Sequence, residues 1–439
     1  AANHEATRVL FFDVRGVPHA ARFLEGISAA RTYGHRALLI ADETDFVLVH
    51  SPPDPAYVSY LNSFGLGPEE AHVLVVSAAD REFESVPGRY GNGALKDLAA
   101  GLKAEGVEEC ILVPYIHHQS FNELAAGLRE EAGVNVAYPE RAIDPAYRYS
   151  SKAEGRKLAG QLKIPLPEGI LLEADAGDIA RVVPQRFSPG KALIIKGIWG
   201  ESGTEVTKLA AGWNRESLSE ELLAWWDRDC PLIIEEAIED HLATNVMLHV
   251  CEKSGAIEII GITDQLIAGG IRHVGNAFPT RSAWKPEITE ASINMAGVLR
   301  DEGFCGYAGV DFMETLPRDD VSSRYYFLEV NPRVNASRHP LLVMRKLNAR
   351  RRPQGKPEID AFLDLSFPVE AMSFGEVRDL LAGDVFGPQS GCGIILYSPS
   401  FASAGSLALL VLGQTEQDLK RLRDSVSGKL SSAGVLRSS

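Results

Sequence analysis

Cysteine is scarce in this sequence, and its five residues lie far apart along the chain, at Cys110, Cys230, Cys251, Cys305 and Cys392. An odd, scattered set disfavours a disulfide framework or a zinc site and favours buried, reduced thiols. The sequence also has no run of the ~18 apolar residues that a membrane helix requires. Residues 1–16 lack the basic region and long apolar run of an intact signal peptide. We therefore expect a cytoplasmic protein without a membrane partner.

Basic residues are outnumbered: 44 Lys and Arg stand against 59 Asp and Glu, a formal net charge of −15. Because an acidic surface repels phosphate backbones, this balance excludes a broad nucleic-acid partner but leaves room for a local basic pocket. The apolar fraction of 45% and the charged fraction of 23% are typical of globular proteins. At roughly 150 residues per domain, the 439 residues predict about three domains.

Two common nucleotide-binding motifs are also missing. The order Gly-x4-Gly-Lys-Ser/Thr of a Walker A loop does not occur. No Gly-x-Gly-x-x-Gly follows the first predicted strand, which makes a dinucleotide-dependent oxidoreductase a weak alternative. Any nucleotide site must therefore be built from other residues.

The first third of the chain alternates short apolar runs with amphipathic segments. This pattern predicts a parallel sheet covered by helices on both faces. The predicted strands are 8–12, 37–40, 72–76 and 110–114, and the predicted helices are 18–33, 94–104 and 121–132. The irregular segment 51–70 fits neither pattern.

The rest of the chain follows a different, α+β pattern up to about residue 330, and the tail ends in strand, strand and helix. We predict an N-terminal α/β domain at 1–145, a core at 146–345 and a C-terminal capping or substrate-binding domain at 346–439. The basic run 350–352 is interpreted as a solvated linker, with contact to an acidic substrate tail as the alternative.

Two strand-like segments of the core carry oxygen ligands. Asp311 lies on the first, and Glu329 and Asn331, two residues apart on the second, point to the same face. A hairpin would bring these acids side by side, and oxygen donors are the ligands that Mg²⁺ prefers. Arg333 continues that face and suits a carboxylate or phosphate. A pair of exposed strand acids is the alternative interpretation.

Two further segments suit a nucleotide. One apolar strand ends at Lys196, and the small-residue loop after it contains Gly200, Ser202 and Gly203, a combination typical of phosphate binding. A second apolar strand runs into a hinge whose backbone groups suit an adenine edge. The hinge residues are Glu235, Glu236, Ala237 and Ile238. Each segment on its own is more often structural.

Taken in order, these segments resemble the ATP-grasp family, over roughly residues 146–340. Lys152 with the following Ile164-Pro165-Leu166-Pro167 is similar to the opening of that family's core. The resemblance implies an α/β and α+β fold, with an N-terminal pre-ATP-grasp domain and a small C-terminal domain. It also implies a role for each motif: ATP at Lys152, Lys196, the loop and the hinge; metal at Asp311, Glu329 and Asn331; and Arg333 as the catalytic arginine.

The resemblance further implies an ATP-dependent ligase that joins a carboxylate to an amine through an acylphosphate and releases ADP and phosphate. Its cofactors would be ATP and Mg²⁺, with Mn²⁺ as an alternative. The layout of the whole chain resembles the pheganomycin-type peptide ligases of natural-product biosynthesis. This implies a guanidino-bearing amino acid joined to the N-terminal amine of a peptide, and a homodimer. The alternatives are another carboxylate and amine pair, or a catalytically inactive regulatory protein.

Some residues depart from the family pattern. The acid expected for the ribose hydroxyls is not evident, and Glu239 or Asp240 are the candidates. Ser337 stands four residues after Arg333, where a biotin-dependent carboxylase would carry Glu, which disfavours carboxylase chemistry. Arg272, in a Gly-rich segment, is a candidate catalytic clamp for the substrate carboxylate, and a plain surface loop is the alternative with equal weight.

Overall fold

The structure is a computed structural model that describes residues 6–20, 30–76, 92–172, 176–200, 205–226, 231–270, 272–316, 323–387, 389–397, 402 and 405–437. The strands in these residues form three sheets, of five, four and eight strands. Each sheet is described below with the helices that pack against it.

The first sheet is parallel, with the strand order β3-β2-β1-β4-β5. Its strands are β1 (Thr7–Phe11), β2 (Phe46–Val49), β3 (Val73–Val75), β4 (Glu109–Pro114) and β5 (Asn135–Ala137). The connecting helices are α1 (Pro55–Ser63), α2 (Asn92–Ala104) and α3 (Ser120–Ala132). Helices α2 and α3 bury their leucines in a core shared with this sheet. The α/β class predicted for the first third is confirmed.

One predicted strand in this part is wrong. Residues 37–40 lie largely within a 3-10 helix, Ala30–Leu39, and β2 takes the place beside β1. A short, fully buried apolar run carries no periodicity that separates a strand from a helix. In the unassigned segment 51–70, Asp54 begins α1 by accepting a hydrogen bond from the Ala56 N–H at 2.9 Å, with Pro55 at the first helical position.

The second sheet is antiparallel, with the strand order β6-β9-β7-β8. Helices α4 (Ile143–Tyr149) and α5 (Lys152–Gln161) lead into it. Its strands are β6 (Gly169–Leu172), β7 (Leu193–Gly197), β8 (Val206–Leu209) and β9 (Leu232–Glu236). Helices α6 (Ala176–Arg186) and α7 (Arg215–Trp226) complete a separate small core with this sheet.

The third sheet is antiparallel, with the strand order β14-β13-β10-β11-β12-β15-β17-β16. Its strands are β10 (His241–Val250), β11 (Ile257–Ala268), β12 (Arg272–Phe278), β13 (Gly306–Thr315), β14 (Tyr325–Asn331), β15 (Ala361–Pro368), β16 (Gly393–Leu396) and β17 (Ser406–Gly413). The helices of this part are α8 (Lys285–Asp301), α9 (Arg338–Arg351), α10 (Phe374–Leu381) and α11 (Glu416–Ser432).

The C-terminal strands continue the sheet of the core, because β12 pairs with β15. The predicted domain limits after 145 and 345 fall inside α4 and α9. The interpretation of 350–352 as a solvated linker is wrong for Arg351. That residue is buried at the end of α9, and its Nε donates to the Pro357 carbonyl at 2.7 Å.

Within the described ranges, no helix has both the length and the apolar character needed to cross a membrane. Four of the five cysteines, Cys110, Cys251, Cys305 and Cys392, are free thiols, and Cys230 lies outside the described residues.

Candidate active site

The two predicted metal acids are neighbours in the largest sheet. Asp311 on β13 and Glu329 on β14 are direct cross-strand partners. Side chains opposite each other on one sheet face have Cβ atoms about 5 Å apart, so the two carboxyl groups share one space. The pairing register shifts directly after them, and such bulges re-aim side chains next to active sites.

Asp311 is buried and held by three amide groups. Asn245 Nδ2 and Gln265 Nε2 donate to its Oδ1 at 2.6 and 2.9 Å, and Asn331 Nδ2 donates to its Oδ2 at 2.9 Å. Burial, together with the negative charge of Glu329, raises the pKa of Asp311 well above its usual range. A cation between the two acids would relieve both penalties, so this pair suits a metal ion.

Glu329 faces the lysine of the predicted opening motif of the core. Lys152, the first residue of α5, has its Nζ 3.3 Å from Glu329 Oε2 and donates to the Gly200 carbonyl at 3.0 Å. Burial opposes ionisation of Glu329, but the charge of Lys152 and a hydrogen bond from Asn331 outweigh it and hold its pKa below the usual range. Glu329 is therefore the ionised member of the acid pair.

Asn331 and Arg333 extend the pair along β14. Asn331 Nδ2 donates to Glu329 Oε1 at 3.1 Å as well as to Asp311, so the amide nitrogen stands between the two acids. The amide oxygen of Asn331 accepts a close hydrogen bond from the Arg333 guanidinium. The structure thus brings together all four residues that the strand pattern singled out.

Lys196 at the end of β7 shares a buried carboxylate with a residue that the sequence reasoning missed. Glu235 Oε2 lies 2.6 Å from Lys196 Nζ, and Glu235 Oε1 forms a close ion pair with Arg156 on α5. Arg156 follows Lys152 by four positions, which places both on one side of the helix. That spacing was the signal that could have revealed it.

The hinge residues differ in where they point. The side chain of Glu236 pairs with Lys191 Nζ at 2.7 Å, while the Ile238 carbonyl contacts His241 Nδ1 at 2.8 Å. Glu235, Glu236 and Ile238 all line the cavity described below. Ala237 does not line it, and its N–H donates to the Ala192 carbonyl at 2.8 Å.

The remaining predicted residues are spread more widely. Gly200 lines the cavity and meets Lys152 as described, whereas Ser202 and Gly203 lie outside the described residues. Arg272 is exposed at the start of β12 and is not brought to the cavity wall; its neighbour His273 lines the wall instead. The segment around Arg272 is therefore a strand of the hairpin β11–β12 and not a loop.

The acid pair, Asn331, Arg333 and the two lysines line one cavity of about 550 Å³, which also extends beyond the acid pair. We call the part away from the acids the far end. It is lined by Asp364 and Ser366 of β15 and Ser406 of β17, which lie at least four strand positions from β13, and the charge of Arg36 acts on Asp364 there. Sequence reasoning missed most of these residues. Only Asp364, an acid inside the apolar run 361–367, gave a local signal.

Comparison with known protein families shows which domains the chain contains. The profile of the ATP-grasp domain matches residues 156–337, and that of the pre ATP-grasp domain matches residues 34–129. The chain contains a pre ATP-grasp domain followed by an ATP-grasp domain. The first match covers the second sheet and β10 to β14 of the third, and the second match covers β2 to β4 of the first sheet. The ATP-grasp fold predicted from the sequence is confirmed.

Individual relatives of this ATP-grasp protein are distant. Over 100 residues it is 32% identical to the L-propargylglycine–L-glutamate ligase of Streptantibioticus cattleyicolor, which is 23% of this chain and 20% of that protein. The N5-carboxyaminoimidazole synthetase of Staphylococcus aureus, solved with ADP, is 12% identical with a TM-score of 0.53, covering 97% of each chain. The biotin carboxylase of Campylobacter jejuni is 13% identical with a TM-score of 0.57, covering 97% of this chain and 95% of that one. At such identities the two structures show the fold alone.

Proposed function

We propose that this protein is an ADP-forming carboxylate–amine ligase. The observation that carries the proposal is the arrangement of Asp311, Glu329, Asn331 and Arg333 opposite Lys152, at one end of a cavity that continues past them. Phosphate-binding cations and metal-binding acids alone would suit any nucleotide protein. The additional space beyond them suits a carboxylate and an amine that react with the nucleotide.

The residues present fit a magnesium nucleotide. Mg²⁺ in nucleotide enzymes is held by one or two carboxylates together with phosphate oxygens, and Asp311 and Glu329 supply such a pair. Asn331 would add its amide oxygen after the amide turns away from its hydrogen bond with Arg333. Bound there, Mg²⁺, or Mn²⁺ in its place, would neutralise charge on the phosphates.

The chain's own residues position the reactants. Lys152 and Lys196 would hold phosphate oxygens, and the hinge at Glu236 and Ile238 would hold the base. An oxygen of the substrate carboxylate attacks the γ-phosphorus, a new P–O bond forms, and the bond to the β-phosphate oxygen breaks to release ADP. Arg333 stabilises the charge on the transferring group.

The second step uses the acylphosphate made in the first. The amine nitrogen attacks the acyl carbon, the C–O bond to phosphate breaks, phosphate leaves, and the nitrogen gives up a proton. Water in the cavity would hydrolyse the acylphosphate, so the amine must reach it before water does.

Within this reaction class we propose a peptide ligase of natural-product biosynthesis that acts in the cytoplasm, with an amino-acid donor and a peptide acceptor. The match to the L-propargylglycine–L-glutamate ligase supports amino-acid substrates, although it spans about a fifth of that protein. A guanidino group on the donor and a homodimeric assembly stay predictions from the resemblance.

The test is turnover by the full chain with ATP, Mg²⁺ and a panel of amino acids and peptides. We expect ADP and phosphate with at least one acid and amine pair. Glu329→Gln should abolish this release, whereas Glu258→Gln, an exposed glutamate on the same sheet paired with Arg345 at 2.8 Å, should not.

Release of AMP and pyrophosphate would contradict the acylphosphate route. Tight ATP binding without turnover of any pair would favour a regulatory protein.

A further inference from the structure

We propose that Asp364 binds a protonated amine of the substrate at the far end of the cavity. The inference rests on the proposed function only in taking this cavity as the place where substrates bind. The steps below concern the position of the carboxylate, its free oxygen, the shape of the cation and its distance from the reaction.

Asp364 lies on β15, the strand that joins the C-terminal part to the core sheet. Its direct cross-strand partner is Asn276 on β12, whose Nδ2 donates to Asp364 Oδ2 at 3.1 Å. Asp364 is only 7% exposed and still lines the cavity. The little surface that it retains therefore faces a space large enough for a ligand.

A hydrogen-bond network fixes the orientation of Asn276. Its Oδ1 accepts from Ser337 Oγ at 3.3 Å and lies 3.2 Å from His273 Nε2, so its amide nitrogen must point to Asp364. Ser337 in turn accepts from Thr263 Oγ1 at 3.1 Å. A carboxylate held by such a set of buried polar groups is preorganised for binding.

The second oxygen of Asp364, Oδ1, accepts no hydrogen bond from the described part of the chain. Because Asp364 lines the cavity, this oxygen is open to a ligand that donates a hydrogen bond and carries a positive charge. Burial raises the pKa of Asp364, while the positive charge of Arg36 and the hydrogen bond from Asn276 act in the opposite direction. A cationic ligand at the open oxygen would act in the same direction as Arg36 and favour the ionised carboxylate.

The shape of the site suits an ammonium group more than a guanidinium group. Guanidinium binds carboxylates best when it contacts both oxygens, and Asn276 already occupies one of them. An ammonium is compact and carries three donors. Besides Asp364, the hydroxyls of Ser366 and Ser406, 2.9 Å apart on the same wall, offer further acceptors.

The amine bound at Asp364 is not the group that reacts. Between β13, which carries Asp311, and β15 there are three strands, so four strand spacings separate the two acids. At about 4.8 Å per spacing this is about 19 Å along the sheet. Asp364 thus recognises a distal ammonium on a substrate long enough, such as a peptide, for its reacting group to lie near Arg333. Free lysine is shorter than this span and tests the ammonium site alone.

The experiment measures binding of L-lysine, L-arginine and L-norleucine to the full chain, with Mg²⁺ and a non-hydrolysable ATP analogue. Norleucine keeps the α-amino and carboxylate groups of lysine and lacks only the side-chain ammonium. We expect the wild type to bind lysine at least tenfold more tightly than norleucine and more tightly than arginine. Asp364→Asn should lose most of the lysine preference, while its thermal midpoint and nucleotide affinity stay within the wild-type range.

Asp360→Asn is the matched control, because it removes the same charge from an exposed aspartate just before β15. It should keep the lysine preference. Equal binding of lysine and norleucine by the wild type, tighter binding of arginine, or an unchanged preference in Asp364→Asn would each overturn the proposal. A lysine preference that depends on Asp364, without ADP formation from any acid and amine pair, would refute the ligase function and leave the binding site standing.

Discussion

Replacing Arg156 with Met should weaken both the fold and nucleotide binding, because Arg156 and Lys196 share the buried carboxylate of Glu235. The guanidinium of Arg156 pairs with Glu235 Oε1 and also donates to the Pro167 carbonyl at 2.8 Å. The side chains of Arg156 and Glu235 are only 16% and 6% exposed. Without Arg156, Lys196 alone pairs with the negative charge of Glu235.

The size of the stability loss depends on the ion pair that Glu235 keeps after the substitution. Removing one partner of a buried ion pair costs about 3–5 kcal/mol when it leaves the other charge unpaired. Here Lys196 still neutralises Glu235 at 2.6 Å. The loss is then closer to that of one hydrogen bond to a charged group, about 2 kcal/mol. For a domain of the size of the predicted core, residues 146–345, this loss corresponds to a thermal midpoint roughly 4–8 °C lower.

Thermal unfolding of Arg156→Met, Glu235→Gln and the double variant tests the reasoning. The sum of the stability losses of the two single variants should exceed the stability loss of the double variant by about 1–2 kcal/mol, as for residues in direct contact. The Kd for ATP should rise roughly tenfold in Arg156→Met, because Lys196 is drawn toward Glu235. Arg148→Met is the control, since Arg148 is 54% exposed and its ion pairs lie at the surface. Additive losses from Arg156 and Glu235 would refute the shared-carboxylate account.

Other predictions concern a glycine beside Asn245 and a buried histidine. Gly309→Ala should cut turnover at least tenfold in the ADP-release assay, because a Cβ there would collide with the amides of Asn335 and Asn245, and Asn245 holds Asp311. Unchanged turnover would contradict the role of this contact in positioning Asp311. His117 is buried, and burial lowers its pKa to about 4 from an ordinary 6.5. Its folded form binds fewer protons between these values, so roughly 3 kcal/mol of stability is present above pH 6.5 and lost as the pH falls toward 4. In His117→Gln, the thermal midpoint should depend less on pH over that range than in the wild type. An unchanged slope of the midpoint against pH would contradict this.

The largest part of the candidate site that sequence could predict is the acid pair. Glu329 and Asn331 alternate correctly along one strand, and a hairpin between two long apolar strands leaves few registers for Asp311. Lys196 could be predicted equally well, because a charged residue at the end of an apolar strand needs a charged or polar partner, which here is the buried Glu235. These residues are defined by local pattern, and local pattern is what a single sequence contains.

The far end of the cavity could not be predicted for the opposite reason. Arg36 lies directly before the buried run 37–40, which resembled a strand, and Asp364 lies in a part that resembled a separate small domain. Asp364 reaches the cavity wall only because β12 pairs with β15 across a separation of about ninety residues in the chain. No periodicity encodes such a pairing, since it depends on which sheet edge remains open after the core has folded.

Under the proposed function, the ion pairs of the cavity explain how a chain of net charge −15 holds a polyanion. Lys152 is paired with Glu329 at 3.3 Å, and Lys196 with Glu235 at 2.6 Å. The cations are thus kept in place by acids before any phosphate arrives. When Glu329 serves as a metal ligand, it no longer needs the charge of Lys152, which becomes available to the phosphates. Metal and nucleotide each lower the cost of binding the other, so their affinities are coupled reciprocally.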